Sequence, residues 1–369
     1  MSKAIFNTES FPYPTCEHPE GYEDCDYGES FKASVHLDYQ EPEFVIDTNF
    51  VKKPFKQHLS DIENKKYNTN APLALTSPFK LLSLEGANTL RRITELATSH
   101  QYVRKSYNRG ALVLRGLTHV SDFVRDLTED ERVNSLVSTM AGELLTSHGM
   151  IMNRGHVNVG EIGTGRPVDQ WHVDSGDYAL VIMLSDTDGM VGGDFQIALR
   201  DPDTAKRLLK ENNGQLKEGD EVLTIKYPGK GWALFMQGCL MLHHVTEVKS
   251  SPIETKRVSF VNTYMRRNIF AEDYTRYSIF RHGDPIATSF LDFSRQKAWR
   301  IKGMMDYILK SPTYKGEHDR DAIIEMLTKA QDELGRTISL LSDSVDDQVG
   351  YLDEKNVLDE LDVLKENKE

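Results

Sequence analysis

The chain has 369 residues, 39% hydrophobic and 27% charged, with 25 glycines and 13 prolines, which excludes both a peptide-sized scaffold and a disordered chain. Lysine and arginine total 44 against 57 aspartate and glutamate, and the resulting net charge of −13 opposes a surface that tracks nucleic-acid phosphates. Three cysteines are too few for a disulfide framework and suit a reducing compartment. With no basic-then-apolar leader at the start and no run of about eighteen apolar residues, the expectation is a cytoplasmic protein without a membrane span.

Residues 1 to about 75 are rich in Pro, Tyr, Glu and Asp and lack periodicity, which reads as extended arms laid over a core. From Pro78, LLSLEGANTLRRITELATSHQYVRK has helical spacing, ALVLRGL is β-like, and SDFVRDLTEDERVNSLVSTMAGELL is helical again. From about residue 149 the pattern changes to short strand-like runs broken by Gly, Asp or Pro: GMIMNRGHVNVGEIG, DYALVIMLSD, GGDFQIAL, EVLTIKY, GWALFMQG, LMLHHVTEV and RVSFVNTYMR. Strands at this density predict a sandwich or barrel. After about residue 290 helical spacing returns, ending in acidic amphipathic stretches whose Leu and Ile stripe would pack on the core. The expected plan is mainly β with flanking helices: an N-terminal arm and helical segment over 1–148, a core over 149–290, and a C-terminal helical extension over 291–369.

His-x-Asp occurs three times, at His36/Asp38, His172/Asp174 and His282/Asp284. On a strand this spacing puts an imidazole and a carboxylate on one face. His36 lies in the irregular arm and His282-Gly-Asp284-Pro285 reads as a turn, whereas His172 and Asp174 lead into DYALVIMLSD and GGDFQIAL. A histidine from a distant strand, in LMLHHVTEV, would complete two imidazoles and one carboxylate. That facial set leaves open positions on iron(II), two for a bidentate 2-oxo acid and one for dioxygen. A dicarboxylate chelating at one end leaves its other carboxylate to be held, and Arg257 and Ser259, two apart on a strand, offer a guanidinium fork and a hydroxyl. His243 and His244 are adjacent and would point to opposite faces, so one of them reaches the metal. Cys16, His18 and Cys25 invite a zinc reading, but no second ligand pair follows; Arg266-Arg267 could meet an anionic substrate, and the expectation is that it faces solvent.

His172-x-Asp174, Gly192-Gly193-Asp194-Phe195, Gly231-Trp-Ala-Leu-Phe, His243-x-Val245-Thr246-x-Val248 and Arg257-x-Ser259 together resemble the iron(II)/2-oxoglutarate-dependent dioxygenase superfamily. The chain is most similar to the branch containing isopenicillin N synthase and plant oxygenases, over roughly residues 149 to 267, although EVKSSPIETK before Arg257 is longer than in that branch. The resemblance implies a double-stranded β-helix (jelly roll) with the metal at its mouth. It implies His172, Asp174 and His243 as catalytic iron(II) ligands, and Arg257 and Ser259 as the 2-oxoglutarate anchor.

The expected activity is oxidation of a small metabolite, such as an amino acid or biosynthetic intermediate, with O2 consumed and succinate and CO2 released. Hydroxylation is the default outcome, with desaturation or cyclisation as variants. The rivals are an oxygenase acting on a protein and a non-catalytic jelly-roll binding or sensor protein. Neither nucleic acid nor membrane is expected as a partner, and an oligomer is left open.

Overall fold

Period-two alternation of apolar residues organises the middle of the chain. The computed structural model describes residues 6–13, 45–47, 73–100, 103–106, 112–218, 221–283, 286–310 and 316–342. Its first part contains β1 (Val45–Asp47), β2 (Leu73–Thr76), β3 (Phe79–Lys80), α1 (Leu84–Ala97), β4 (Arg104–Ser106), β5 (Leu112–Arg115), α2 (Asp122–Glu129), α3 (Glu131–Ala141) and β6 (Leu145–Ser147). Next come β7 (His156–Glu161), β8 (Asp169–His172), β9 (Tyr178–Met183), β10 (Val191–Gly192), β11 (Phe195–Ala198), α4 (Pro202–Glu211) and β12 (Val222–Ile225). The chain continues through β13 (Trp232–Met236), β14 (His243–Val245), β15 (Val248–Ser250) and β16 (Lys256–Arg266) to α5 (Tyr277–Gly283), α6 (Ile286–Leu309) and α7 (Gly316–Leu341).

β7, β16, β9 and β13 lie side by side in one sheet, and β12, β11, β14 and β8 form a second. All neighbours within these two sets are antiparallel. In chain order the strands belong to the first, second, first, second, second, first, second and first sheet, which is the winding of a jelly roll. β2 and β1 extend the first sheet beyond β13, and β5 and β4 extend it beyond β7, while β6 pairs with β16. Segments before residue 149 therefore contribute strands to the main sheet as well as helices that cover it.

β9 shows why the layers form. Ala179 and Met183 pack with Phe195, Ile197 and Ile225 of the second sheet, whereas Tyr178, Leu180 and Ile182 pack with Leu90, Ile93, Phe123 and Val137 of the helical layer. Each fully buried large apolar side chain contributes about 1.5–3 kcal/mol. On β16 the even positions Val258, Phe260 and Tyr264 join the helical layer, so Arg257, Ser259 and Val261 face the second sheet.

The helical stretch expected over SDFVRDLTEDERVNSLVSTMAGELL is interrupted at Asp130. Its extended backbone ends α2, and its carboxylate accepts the N–H groups of Arg132 and Val133 to start α3. An aspartate cap of this kind contributes about 1 kcal/mol. The run GMIMNRGHVNVGEIG is also divided, into a short 3-10 turn (Ile151–Asn153) and β7. LMLHHVTEV yields β14 in the second sheet and β15 paired with β10. His282 lies in the last turn of α5. Asp284, the His36/Asp38 pair and the Cys16, His18, Cys25 set lie outside the described residues. Among the described residues no helix is long and apolar enough to cross a membrane.

Candidate metal centre

Strand register separates the two adjacent histidines. β14 sets His243 opposite Ile197 of β11 and opposite His172 of β8, and sets His244 opposite Gln196. His243 thus shares the inward face with His172, and the two rings are 4.2 Å apart between centroids. His244 faces outward, where its ring stacks on Trp171 at 3.9 Å and Nε2 lies 2.6 Å from Gln196 Oε1. Burial pushes His244 down to about 3, so it stays neutral.

The expectation that one strand carries both His172 and Asp174 needs correction: β8 ends at His172, and Asp174 lies in the turn beyond it. Asp174 is placed by an interlock of two loops. Its N–H donates to Gly238 O at 3.0 Å, and a Cβ on Gly238 would fall 1.8 Å from Asp174 Oδ2. The carboxylate can occupy this position because residue 238 has no side chain.

Asp174 Oδ1 lies 3.3 Å from His172 Nε2 and 3.6 Å from His243 Nε2. These three residues form a group whose candidate ligand atoms all lie within 4.8 Å of one another. His172 Nδ1 is 2.7 Å from Gln170 O, and His243 Nδ1 is 2.9 Å from Met241 O. A carbonyl oxygen only accepts, so each Nδ1 carries a proton, and Nε2, which faces Asp174, is the nitrogen left for a metal. The histidine side chains are 5% and 4% exposed against 20% for Asp174, so the carboxylate is the wetter member. Burial opposes its ionisation, but His243 and His172 in their protonated forms outweigh that by charge and Nε2–H donation and hold the carboxyl well below the usual range; a metal would take the place of those Nε2 protons. Two neutral nitrogens and one carboxylate are a donor set that could hold iron(II) facially.

Arg257 is 1% exposed on the inward face of β16. Its Nε donates to Gly193 O at 2.9 Å, its Nη1 donates to Ser259 Oγ at 3.3 Å, and the guanidinium lies 6.0 Å from the Tyr227 ring centroid. Burial lowers its pKa, opposed by Tyr227, Asp194 and Asp169, and an arginine remains cationic at neutral pH. Ser259 pairs with Asn158 of β7, Asn158 Nδ2 donates to Asp169 Oδ2 at 3.5 Å, and Asp169 Oδ1 lies 3.8 Å from His172 Nδ1. A chain of contacts thus joins the arginine to the histidines. Asn158 Oδ1 is buried with no hydrogen-bond partner among the described residues.

The intervening motifs brace this arrangement. Asp194 N–H donates to Thr246 Oγ1 at 2.9 Å, Thr246 N–H donates to Asp194 O at 3.0 Å, and Gly193 N–H donates to Glu247 O at 2.9 Å. Gly193 has φ +70°, and a Cβ there would come 2.9 Å from Arg257 Cδ, so glycine both permits the turn and admits the guanidinium.

Two arginines have roles that local sequence did not reveal. Arg276 Nη2 donates to Val173 O at 2.9 Å, the carbonyl between His172 and Asp174. Arg266, expected to face solvent, is 2% exposed and is held by Asp177, Gln237 and Glu143. Its partners come from three separate segments, so no local spacing announces them. A separate cavity of about 760 Å³, lined by Ser10, Asn134, Ser138, Glu143, Arg267 and Asn268 among others, does not include the histidines or Asp174.

No protein-family model matches the chain, and neither does any curated protein sequence. It is similar to a 2OG-Fe(II) oxygenase family oxidoreductase from Burkholderia pseudomallei, at 16% identity over 51% of this chain and 82% of that one, with a TM-score of 0.34. It is also similar to a prolyl-4-hydroxylase from Pseudomonas putida, at 11% identity over 58% of this chain and 100% of that one, with a TM-score of 0.36. A third likeness is to HygX from Streptomyces hygroscopicus, solved with nickel and 2-oxoglutarate bound, at 12% identity over 57% of this chain and 87% of that one, with a TM-score of 0.34. The strand order and register of this chain are by themselves those of a jelly roll.

Proposed function

We propose that this protein is an enzyme, an iron(II)- and 2-oxoglutarate-dependent oxygenase. The observation that carries this reading is the convergence of His172 Nε2, His243 Nε2 and Asp174 Oδ1 inside a barrel whose inward face also carries a buried Arg257. His172, Asp174 and His243 would hold the metal, each histidine presenting the nitrogen that its carbonyl partner leaves for a metal. Arg257 would receive the distal carboxylate of 2-oxoglutarate in a charge-assisted pair, with Ser259 adding a hydroxyl donor. Iron bound there would supply the oxygen activation that couples decarboxylation of 2-oxoglutarate to succinate and CO2 with oxidation of a C–H bond, hydroxylation being the default and desaturation or cyclisation the variants.

The chain's own residues do the positioning. Burial of His172, His243 and Arg257 keeps the donors desolvated, which strengthens their hold on charged ligands. Arg276, from the segment after β16, ties down the carbonyl of Val173 between the two ligands. The substrate we propose is a small metabolite. The test is succinate formation from 2-oxoglutarate with iron(II) and O2 across a panel of small metabolites, with His172→Ala as the control. Wild-type protein that forms succinate only at the His172→Ala background, with every substrate tried, would refute the proposal.

A further inference from the structure

Asp174 has no place in a strand ladder, so its position depends on the two loops that interlock around it, residues 173–177 and 237–242. We propose that Arg266, buried at the end of β16, is the positioning residue that locks these loops together and thereby sets the Asp174 carboxylate in line with His172 and His243. This inference rests on the metal-site reading and concerns what holds that site in shape.

The geometry is specific. Arg266 Nη1 donates to Asp177 Oδ1 at 2.9 Å and its backbone N–H donates to Asp177 Oδ2 at 2.8 Å, so both oxygens of the carboxylate three residues after Asp174 are engaged. From the same guanidinium, Nη2 donates to Gln237 Oε1 at 2.8 Å, immediately before the glycine that touches Asp174. Nε donates to Glu143 Oε1 at 2.9 Å, and that oxygen also accepts from Tyr178 Oη at 2.6 Å, which ties the assembly to the start of β9. Gln237 is in turn fixed by its backbone N–H, which donates to Ala74 O at 2.8 Å on β2, and Cys239 Sγ donates to Asp177 O at 3.3 Å. The planar side chain thus spans both loops, with the rings of Tyr178 and Tyr274 at 5.1 and 5.8 Å.

A buried ion network is a weak source of stability, because desolvating the charges offsets much of their attraction. What such a network provides here is direction: four donors aimed at three segments fix relative positions that apolar packing would leave free to slide. Lysine has the charge and lacks the fork, so it cannot reach Asp177, Gln237 and Glu143 at once.

The experiment compares Arg266→Lys, Gln237→Met and wild type for cobalt(II) binding, read by titration calorimetry and by the visible absorption of the bound ion. Chemical-denaturation midpoints are measured alongside. Arg154→Lys serves as the control, since Arg154 is also 2% exposed and its charge is paired with Glu129 at the end of α2. Loss of a group that hydrogen-bonds a metal ligand typically weakens metal affinity roughly ten- to hundredfold; Arg266 acts one step further out, through Asp177 and Gln237, so Arg266→Lys should weaken cobalt binding by up to about tenfold and alter its spectrum. Arg154→Lys should lower the midpoint and leave cobalt affinity unchanged. Gln237→Met removes one arm only and should weaken binding less, and it decides the question if Arg266→Lys does not fold. Wild-type cobalt affinity and spectrum in the folded variants would overturn the positioning role alone. A wild type whose cobalt binding survives His172→Ala would overturn the metal-site reading and this inference with it.

Discussion

Arg257→Ala tests the anchor for 2-oxoglutarate. The native guanidinium is 1% exposed, so a ligand carboxylate meeting it would be desolvated on both sides. Removing one partner of such a pair costs about 2–5 kcal/mol, and much of that is the penalty of leaving the other charge unpaired. At about 1.4 kcal/mol per tenfold, the 2-oxoglutarate dissociation constant should rise from roughly thirtyfold to several-thousandfold. The same substitution strips a donor from Gly193 O and from Ser259 Oγ, which costs about 1–3 kcal/mol of folding stability. Stability and ligand binding must therefore be read separately. Arg257→Lys keeps the charge and loses the fork, so its 2-oxoglutarate affinity should fall between those of Arg257→Ala and wild type. The assay is an anaerobic titration of metal-loaded protein with 2-oxoglutarate, with metal affinity and denaturation midpoint measured on the same samples. An Arg257→Ala protein that is folded, binds metal normally and keeps its 2-oxoglutarate affinity refutes the assignment.

Register predicts opposite outcomes for adjacent histidines: His243→Ala should lose iron(II) binding, whereas His244→Ala should retain it and lose the ring contact with Trp171 at 3.9 Å, about 0.5–1.5 kcal/mol of stability. Metal titration and urea midpoints on the two variants check this, and the reverse pattern would overturn the inward assignment of His243. Gly238→Ala introduces a methyl 1.8 Å from Asp174 Oδ2, so the carboxylate must move and metal affinity should drop, while unchanged affinity would show that the loops are free to part. Burial also makes stability pH-dependent, since it pushes His119 and His148 down to about 4 and His244 down to about 3. Each is neutral when folded and takes up a proton in the unfolded chain below about 6.5, so its stabilising contribution is complete above that pH and is lost progressively as the pH falls toward its folded value. The urea midpoint should decline from pH 7 to pH 5, and His244→Ala should flatten that decline; an identical slope in the variant would count against a buried neutral His244.

The β core was legible in the sequence because alternation is a local property: Ala179 and Met183 against Tyr178, Leu180 and Ile182 already describe a strand with two buried faces. Arg257 and Ser259 could be placed on one face for the same reason, and the break at Asp130 had a local cap that the helical pattern overran. Local patterning cannot say which strand lies beside which. The choice between His243 and His244 needed the pairing of His243 with His172 and Ile197, and the junction of β2 and β5 with the main sheet needed partners far along the chain. Asp174 lies beyond the end of its strand, where period two no longer applies, and it reaches the histidines because Gly238 from another loop leaves room for it. Arg266 reads as a surface residue until β16, the turn at Asp177 and the loop at Gln237 meet around it. The sequence by itself determined the faces of the strands and the chemistry available on them. Tertiary structure decided which of those groups converge, because convergence depends on non-local register and on the loops that carry side chains beyond it.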